Sequence, residues 1–143
     1  MSKLLSDYND SRASIVSRKE LYSDIDINFA VHPVYRDIRP IYDIDSIKQN
    51  LKNLLLTNKY ERPFQPDVYS GISSLLFENA NIFTQIELQT KIEQIIDEYE
   101  PRIDEYRVSI IDESEKNSYK VTIHFKTTYN TTAEVVVYLI RVR

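Results

Sequence analysis

Two hydrophobic periods divide this chain, one near 3.6 residues and one of two, and the change between them near residue 100 separates helices from strands. From Asp45 the apolar residues Ile47, Leu51, Leu54 and Leu55 share one helical face, which predicts a helix over about 45–57 with Asp45 as its N-cap. A longer stripe follows in Leu88, Ile92, Ile95, Ile96 and Tyr99. Thr84 and Glu87 stand directly ahead of it at the spacing of a capping box, in which each side chain reaches the other's free backbone amide. Pro101 has no amide to donate and also restricts Glu100, so the helix stops there. Between the two helices, Ile72, Leu75, Leu76 and Phe77 predict one or two further helical turns.

Beyond Pro101 the period becomes two. Ile103 to Asp112 carries Tyr106, Val108 and Ile110 on one side, and Tyr119 to Lys126 alternates Tyr119, Val121, Ile123 and Phe125 against Lys120, Thr122, His124 and Lys126. A turn over Ser114 to Ser118 makes these two strands a hairpin. In the last run, Val136, Tyr138, Ile140 and Val142 oppose Val135, Val137 and Leu139, so both faces are apolar and both need cover. A central strand of the sheet is the commoner solution, and a strand onto which another subunit docks is the other. Nearer the start, Asp24, Asp26 and Asn28 alternate with Ile25, Ile27 and Phe29, the pattern of a short half-buried edge strand.

Prolines shape the connections. Pro33 and Pro40 make residues 30–41 an extended connector, while Pro63, Pro66 and the chain's single glycine, Gly71, make residues 58–71 a shaped loop with a special backbone angle. Residues 1–20 show no sustained period and are expected to be a mobile arm, leaving a single domain over 21–143. The fold class expected is α+β, a small antiparallel or mixed β-sheet packed by two main α-helices.

Composition narrows the function. A formal charge of -4 opposes wholesale binding to a nucleic-acid backbone, and one glycine opposes the phosphate-cradling loops of nucleotide enzymes. The absence of cysteine excludes disulfides and thiolate metal sites. No apolar run approaches membrane-spanning length, and Asp7 interrupts the stretch where a secretory signal would be apolar. No membrane, nucleic acid, metal or cofactor is therefore expected as a partner.

Charge at one helix end is the feature most in need of a partner. Asp97, Glu98 and Glu100 lie where the backbone dipole is already negative, which costs up to about 1 kcal/mol for each exposed acid. Arg102 lies just beyond, and Arg62 is free to come from the proline loop, so either an internal ion network or a cationic partner surface would compensate. Pairs of carboxylates abound for a glycosidase, such as a lysozyme-like peptidoglycan hydrolase, but random surface acids satisfy that pattern and no tryptophan is present to stack on sugar. His32 and His124 lack metal-ligand spacing, and Lys120, His124 and Lys126 read as a solvated sheet face. A generic protein-binding adaptor is the remaining class, and no catalytic residue is assigned.

Taken in order, Leu21-Tyr22-Ser23-Asp24-Ile25-Asp26, the Glu61-Arg62-Pro63-Phe64 loop with Pro66 and Gly71, Leu76-Phe77-Glu78, and Tyr99-Glu100-Pro101-Arg102-Ile103-Asp104 resemble the GPW/gene-25-like family. These are the small baseplate wedge proteins, or sheath initiators, of contractile-tailed phages, with relatives in type VI secretion baseplates. The likeness spans about residues 21–142, and the chain departs from it in carrying Tyr60 where the family often has glycine. The resemblance implies a non-enzymatic structural subunit, folded in the host cytoplasm and sited in the virion tail baseplate. It implies docking on wedge core proteins through Glu100, Pro101 and Arg102, with Arg62, Pro63 and Phe64 as further protein-binding residues. It also implies that the C-terminal sheet, through Val136, Tyr138 and Ile140, receives strands from tail sheath subunits, and that tube-side baseplate proteins lie nearby.

Overall fold

The computed structural model describes residues 21–34 and 36–141, in two compact units divided between Asp43 and Ile44. The expected arm over 1–20, and Val142, lie outside the described residues.

In the first unit, β1 (Ser23–Ile25) pairs antiparallel with β2 (Pro40–Tyr42), from Ser23 opposite Tyr42 to Ile25 opposite Pro40. The strand is shorter than the alternation predicts, and Ile25, Ile27 and Phe29 are all more than half exposed. A local turn ends it: the Asp26 carboxylate accepts the Asn28 amide at 2.8 Å, and Phe29 takes a left-handed φ of 52°. Residues 30–41 are also more than a connector, since Val31 bridges Ile38 and the segment leads into the returning strand. Pro40 is tolerated there because it occupies the first strand position, where a missing amide does least harm.

In the second unit, α1 (Asp43–Leu56) follows β2 without a loop and so begins two residues ahead of the predicted start. Asp45 consequently sits inside the first turn rather than capping it. Ile47, Leu51, Leu54 and Leu55 are buried as their spacing requires. The Ser70 amide donates to the Thr57 carbonyl at 3.0 Å, which closes the proline loop at its base. Gly71 then turns the chain with a left-handed φ of 64°, and α2 (Ile72–Leu75) buries Ile72 and Leu75.

The long helix, α3 (Ile82–Tyr99), is capped by Asn81, whose side-chain oxygen accepts the Thr84 amide at 2.8 Å. The expected Thr84–Glu87 box is not the cap. Ile82 and Phe83, 61% and 76% exposed, form an outward-facing first turn whose apolar residues break the stripe and hide the true start. The buried face of Leu88, Ile92, Ile95 and Ile96 is the predicted one.

Strands β3 (Ile103–Glu113), β4 (Ser118–Thr127) and β5 (Thr132–Ile140) form an antiparallel sheet in that order, with a 3-10 turn over Ser114–Lys116 joining the first two. Val108 of β3, Tyr119, Val121, Ile123 and Phe125 of β4, and Val135, Val137 and Leu139 of β5 share one core with the helices. Each such residue contributes about 1.5–3 kcal/mol by leaving water. The central strand is therefore β4, not the last one. The two apolar faces of β5 have different fates: Val135, Val137 and Leu139 are buried, while Tyr138 and Ile140 are 54% and 69% exposed on an edge strand.

Candidate functional site

The helix end and its proline build one corner. Glu100 closes α3 by donating its amide to the Ile96 carbonyl at 2.9 Å, and Pro101 then turns the chain so that Arg102 comes back over the Glu100 side chain. Arg102 donates from Nε to Glu100 Oε1 at 2.5 Å and from Nη2 to Oε2 at 2.6 Å, a fork matched to the two carboxylate oxygens. Its third nitrogen, Nη1, reaches Ser46 Oγ at 3.3 Å, and Asn50 Nδ2 donates to Glu100 Oε2 at 2.8 Å. Ser46 and Asn50 stand one turn apart on α1, so the corner ties that helix to the end of α3 and the start of β3. The Glu100 side chain is 1% exposed and that of Arg102 20%.

The other two acids of the helix end have separate partners. Tyr106 on β3 donates to Asp97 Oδ1 at 2.7 Å, and burial, aided by that bond, pushes its hydroxyl up to about 12. Tyr99 is raised by its hydrogen bond to Glu98, with burial second. Of the two expected arginines the structure brings Arg102 to Glu100; the other partners come from α1. Sequence reasoning missed Ser46 and Asn50, for which the only signal was two small polar residues four apart beside the apolar stripe of α1.

Arg62, Pro63 and Phe64 sit in a loop held by side chains. The Glu61 carboxylate accepts the Asn58 amide and its Nδ2, each at 2.7 Å, which lowers the Glu61 pKa, and Asn58 Oδ1 in turn accepts from Ser73. Tyr60, the residue at which the chain departs from the glycine often found in the family it resembles, adopts a glycine-like φ of 67°. Pro63 is exposed, Arg62 is half-buried, and Phe64 is 98% exposed at the tip. Farther along, the Tyr99 hydroxyl also lies 3.5 Å from the Asp67 carbonyl, which lays the loop's return against the last turn of α3.

The third region is the outer margin of β5, which has no further strand beside it among the described residues. Both β3 and β5 are edges, but they differ in chemistry. On the exposed face of β3, Glu105 and Arg107 place charges, the usual guard of an edge, ahead of Ser109 and the exposed Ile111, whereas β5 carries one charge there, Glu134, followed by Val136, Tyr138 and Ile140. Arg141 fixes its end: the Arg141 amide donates to the Asn117 carbonyl at 2.9 Å, Asn117 Nδ2 returns a bond at 2.8 Å, and the guanidinium reaches Asp112 at 3.0 Å while lying over the Tyr119 ring. Among the described residues no cluster of His, Asp or Glu is arranged to hold a metal ion, and no helix is long and apolar enough to cross a membrane.

Comparison with known proteins identifies relatives of the chain and of its fold. A family model described as baseplate wedge protein gp25 matches residues 43–134. The baseplate wedge protein gp25 of Enterobacteria phage T4 is 34% identical over 106 residues, covering 74% of this chain and 80% of that protein. A crystal structure of a protein described as a candidate tail lysozyme from Geobacter sulfurreducens superposes with a TM-score of 0.64 at 22% identity, covering 69% of this chain and 91% of that one. A chain in the cryo-EM structure of the anti-feeding prophage baseplate gives a TM-score of 0.55 at 14% identity, covering 86% and 88%. At those identities the two structures speak to the fold alone.

Proposed function

Because the chain belongs to the baseplate wedge protein gp25 family, we propose that this structural component of a virion tail baseplate is a non-enzymatic subunit that joins the wedge core to the sheath. It starts the sheath by offering the β5 margin to sheath subunits. The single observation that carries this reading is the contrast between the two sheet edges. An edge strand that is apolar from Val136 to Ile140, past its one exposed acid at Glu134, is a hazard in a free protein and a template in an assembly, where backbone hydrogen bonds supply affinity and alternate side chains supply register.

Docking on the wedge core falls to the exposed parts of the other two regions. Glu100 is turned inward, so the corner presents Pro101 and the outer part of Arg102, while Phe64 supplies an apolar tip of the kind that anchors interfaces. The non-enzymatic reading is supported by the same corner. Among the described residues Glu100 is the only buried carboxylate, and Arg102 and Asn50 already engage both its oxygens, which leaves it poorly placed as a general acid.

Particles made without the chain, viewed in negative stain, should show baseplates or tubes without sheath; normal sheaths on such particles would overturn the role. Truncating β5 would remove the buried Val135, Val137 and Leu139 along with the margin, so the sharper variant is Val136→Lys with Tyr138→Lys, which charges the exposed face as edge guards do. It should fold and incorporate, yet fail to carry sheath. Clearing of a peptidoglycan suspension by the purified chain would sink the non-enzymatic part.

A further inference from the structure

The loop over residues 58–71 is built as a fixed mount. The Arg62 carbonyl accepts the Gln65 amide at 3.2 Å and the Gln65 carbonyl accepts the Val68 amide at 3.1 Å, so two turns follow in succession. Pro63 and Pro66 each hold the second position of a turn, which proline's fixed φ suits. Near the two ends of the loop, the Lys59 ammonium lies 5.0 Å from the Tyr60 ring and 5.5 Å from the Tyr69 ring. With Glu61 bonded to Asn58 and Ser70 to Thr57, the backbone that carries Phe64 has little freedom left to lose on binding. Yet Phe64 itself, 98% exposed, packs on nothing. Pro63, Gln65 and Pro66 around it are exposed too, so the ring tops a convex tip.

Charge beside the tip is unbalanced. Glu61 is taken up by Asn58, whereas the half-buried Arg62 guanidinium has no acid and no hydrogen-bond partner among the described residues. Glu100 and Asp97 of the helix end are served by Arg102, Asn50 and Tyr106 instead. We propose that Phe64 and Arg62 form a two-pronged plug, and that the wedge-core protein receiving it offers an apolar socket deep enough for one ring with a carboxylate on its rim. The inference rests on the reading that the chain docks on the wedge core, and it supplies the chemistry of the surface docked upon. A convex apolar tip on a fixed mount gains most from a concave apolar partner, because burying the ring requires no ordering of the loop. An arginine at the border of such a contact matches a carboxylate, which it can grip by two parallel bonds. The occupant is a wedge protein rather than a sheath strand for two reasons. The Gln65 and Val68 amides are engaged in the loop's own turns, which leaves no ladder for a strand to join. The loop's return also lies against Tyr99, next to the Glu100–Arg102 corner assigned to the same docking.

Hydroxyl-radical oxidation of the unaltered chain, read residue by residue by mass spectrometry, reports on the plug directly. Phe64 should be oxidised readily in the free chain and lose most of that reactivity in sheathless baseplates that hold the chain. The concentration of purified chain that half-saturates baseplates made without it should rise about thirtyfold for Phe64→Ala and about tenfold for Arg62→Glu. Because the Phe64 ring touches no other part of the chain, the melting midpoint of Phe64→Ala should match the parent's, which separates docking from folding. Undiminished oxidation of Phe64 in baseplates, or saturation by Phe64→Ala at the parent's concentration, would overturn the proposal. So would protection that appears only with sheath, which would make sheath the occupant, or in the free chain at high concentration, which would indicate a second copy. Binding of the parent chain with Phe64 still reactive would end the plug alone, and no binding to sheathless baseplates would end the docking reading beneath it.

Discussion

Replacing Arg102 by alanine should destabilise the second unit by about 3 kcal/mol, the lower part of the range for stripping one partner from a buried ion pair. The figure follows from the surroundings of Glu100. Its side chain is 1% exposed and accepts three hydrogen bonds, two from Arg102 and one from Asn50, so the substitution leaves a buried negative charge with a single neutral donor. The lower end applies because the Arg102 side chain is 20% exposed, which lets water replace part of what is lost. At about 4 °C per kcal/mol for a unit of this size, the melting midpoint should fall on the order of 12 °C. Thermal unfolding followed by circular dichroism measures this, and the double variant Glu100→Met, Arg102→Met is the control. Because the double change buries no lone charge, it should be more stable than Arg102→Ala alone. A midpoint within 2 °C of the parent for Arg102→Ala, or a double variant less stable than the single, would refute the account. Charge reversal at Arg102 is for the same reason a test of folding, and docking is better tested at exposed Pro101 or Phe64.

Asn81→Ala should cost about 1 kcal/mol in urea unfolding as the loss of the α3 cap, whereas Glu87→Ala should stay within about 0.5 kcal/mol because that side chain caps nothing. Gly71→Ala should cost about 1 kcal/mol through its left-handed φ of 64° rather than through crowding, since an added Cβ would sit in ordinary contact with the Lys91 side chain at 3.4 Å and the Tyr69 ring at 3.5 Å. Tyr60→Gly should be close to neutral in the same assay, relief of a left-handed tyrosine being offset by the freer unfolded chain. The Tyr106 hydroxyl, ordinarily near 10 and here about 12, keeps its proton in the folded state through a range where the unfolded chain loses it. Its contribution is complete below pH 10 and lost as pH rises from there through about 12, so Tyr106→Phe should flatten the fall in melting midpoint above pH 10.

Elements whose residues answer to their immediate neighbours were legible. The stripe of α3, its stop at Pro101 and the parity of β3 and β4 all follow from local spacing, and the structure buries those faces. The N-cap was misread because two polar residues at three-residue spacing both fit, and nothing local reveals that Ile82 and Phe83 spend a helical turn facing outward. The place of β5 was misread for a different reason. Apolar residues on both faces report a demand for cover without saying who supplies it, and in this chain the demand on the Tyr138 side goes unmet within the sheet. At the corner, attraction between opposite charges pointed correctly to Arg102, but which second donor arrives depends on how α1 lies against α3, a fact of tertiary packing that no spacing encodes.

The fastening of Arg141 has a mechanical consequence. A strand tugged at one end unzips pair by pair, each step needing little force, whereas a strand dragged lengthwise must break its bonds together. The ladder between β4 and β5 contains nine facing pairs, from Ser118 with Ile140 to Lys126 with Thr132, and Arg141 clasps Asn117 and Asp112 immediately past the first of them. Peeling from the C-terminal end would have to undo that clasp first. Tension along β5 is thereby channelled into shear, the direction in which a short ladder is strongest.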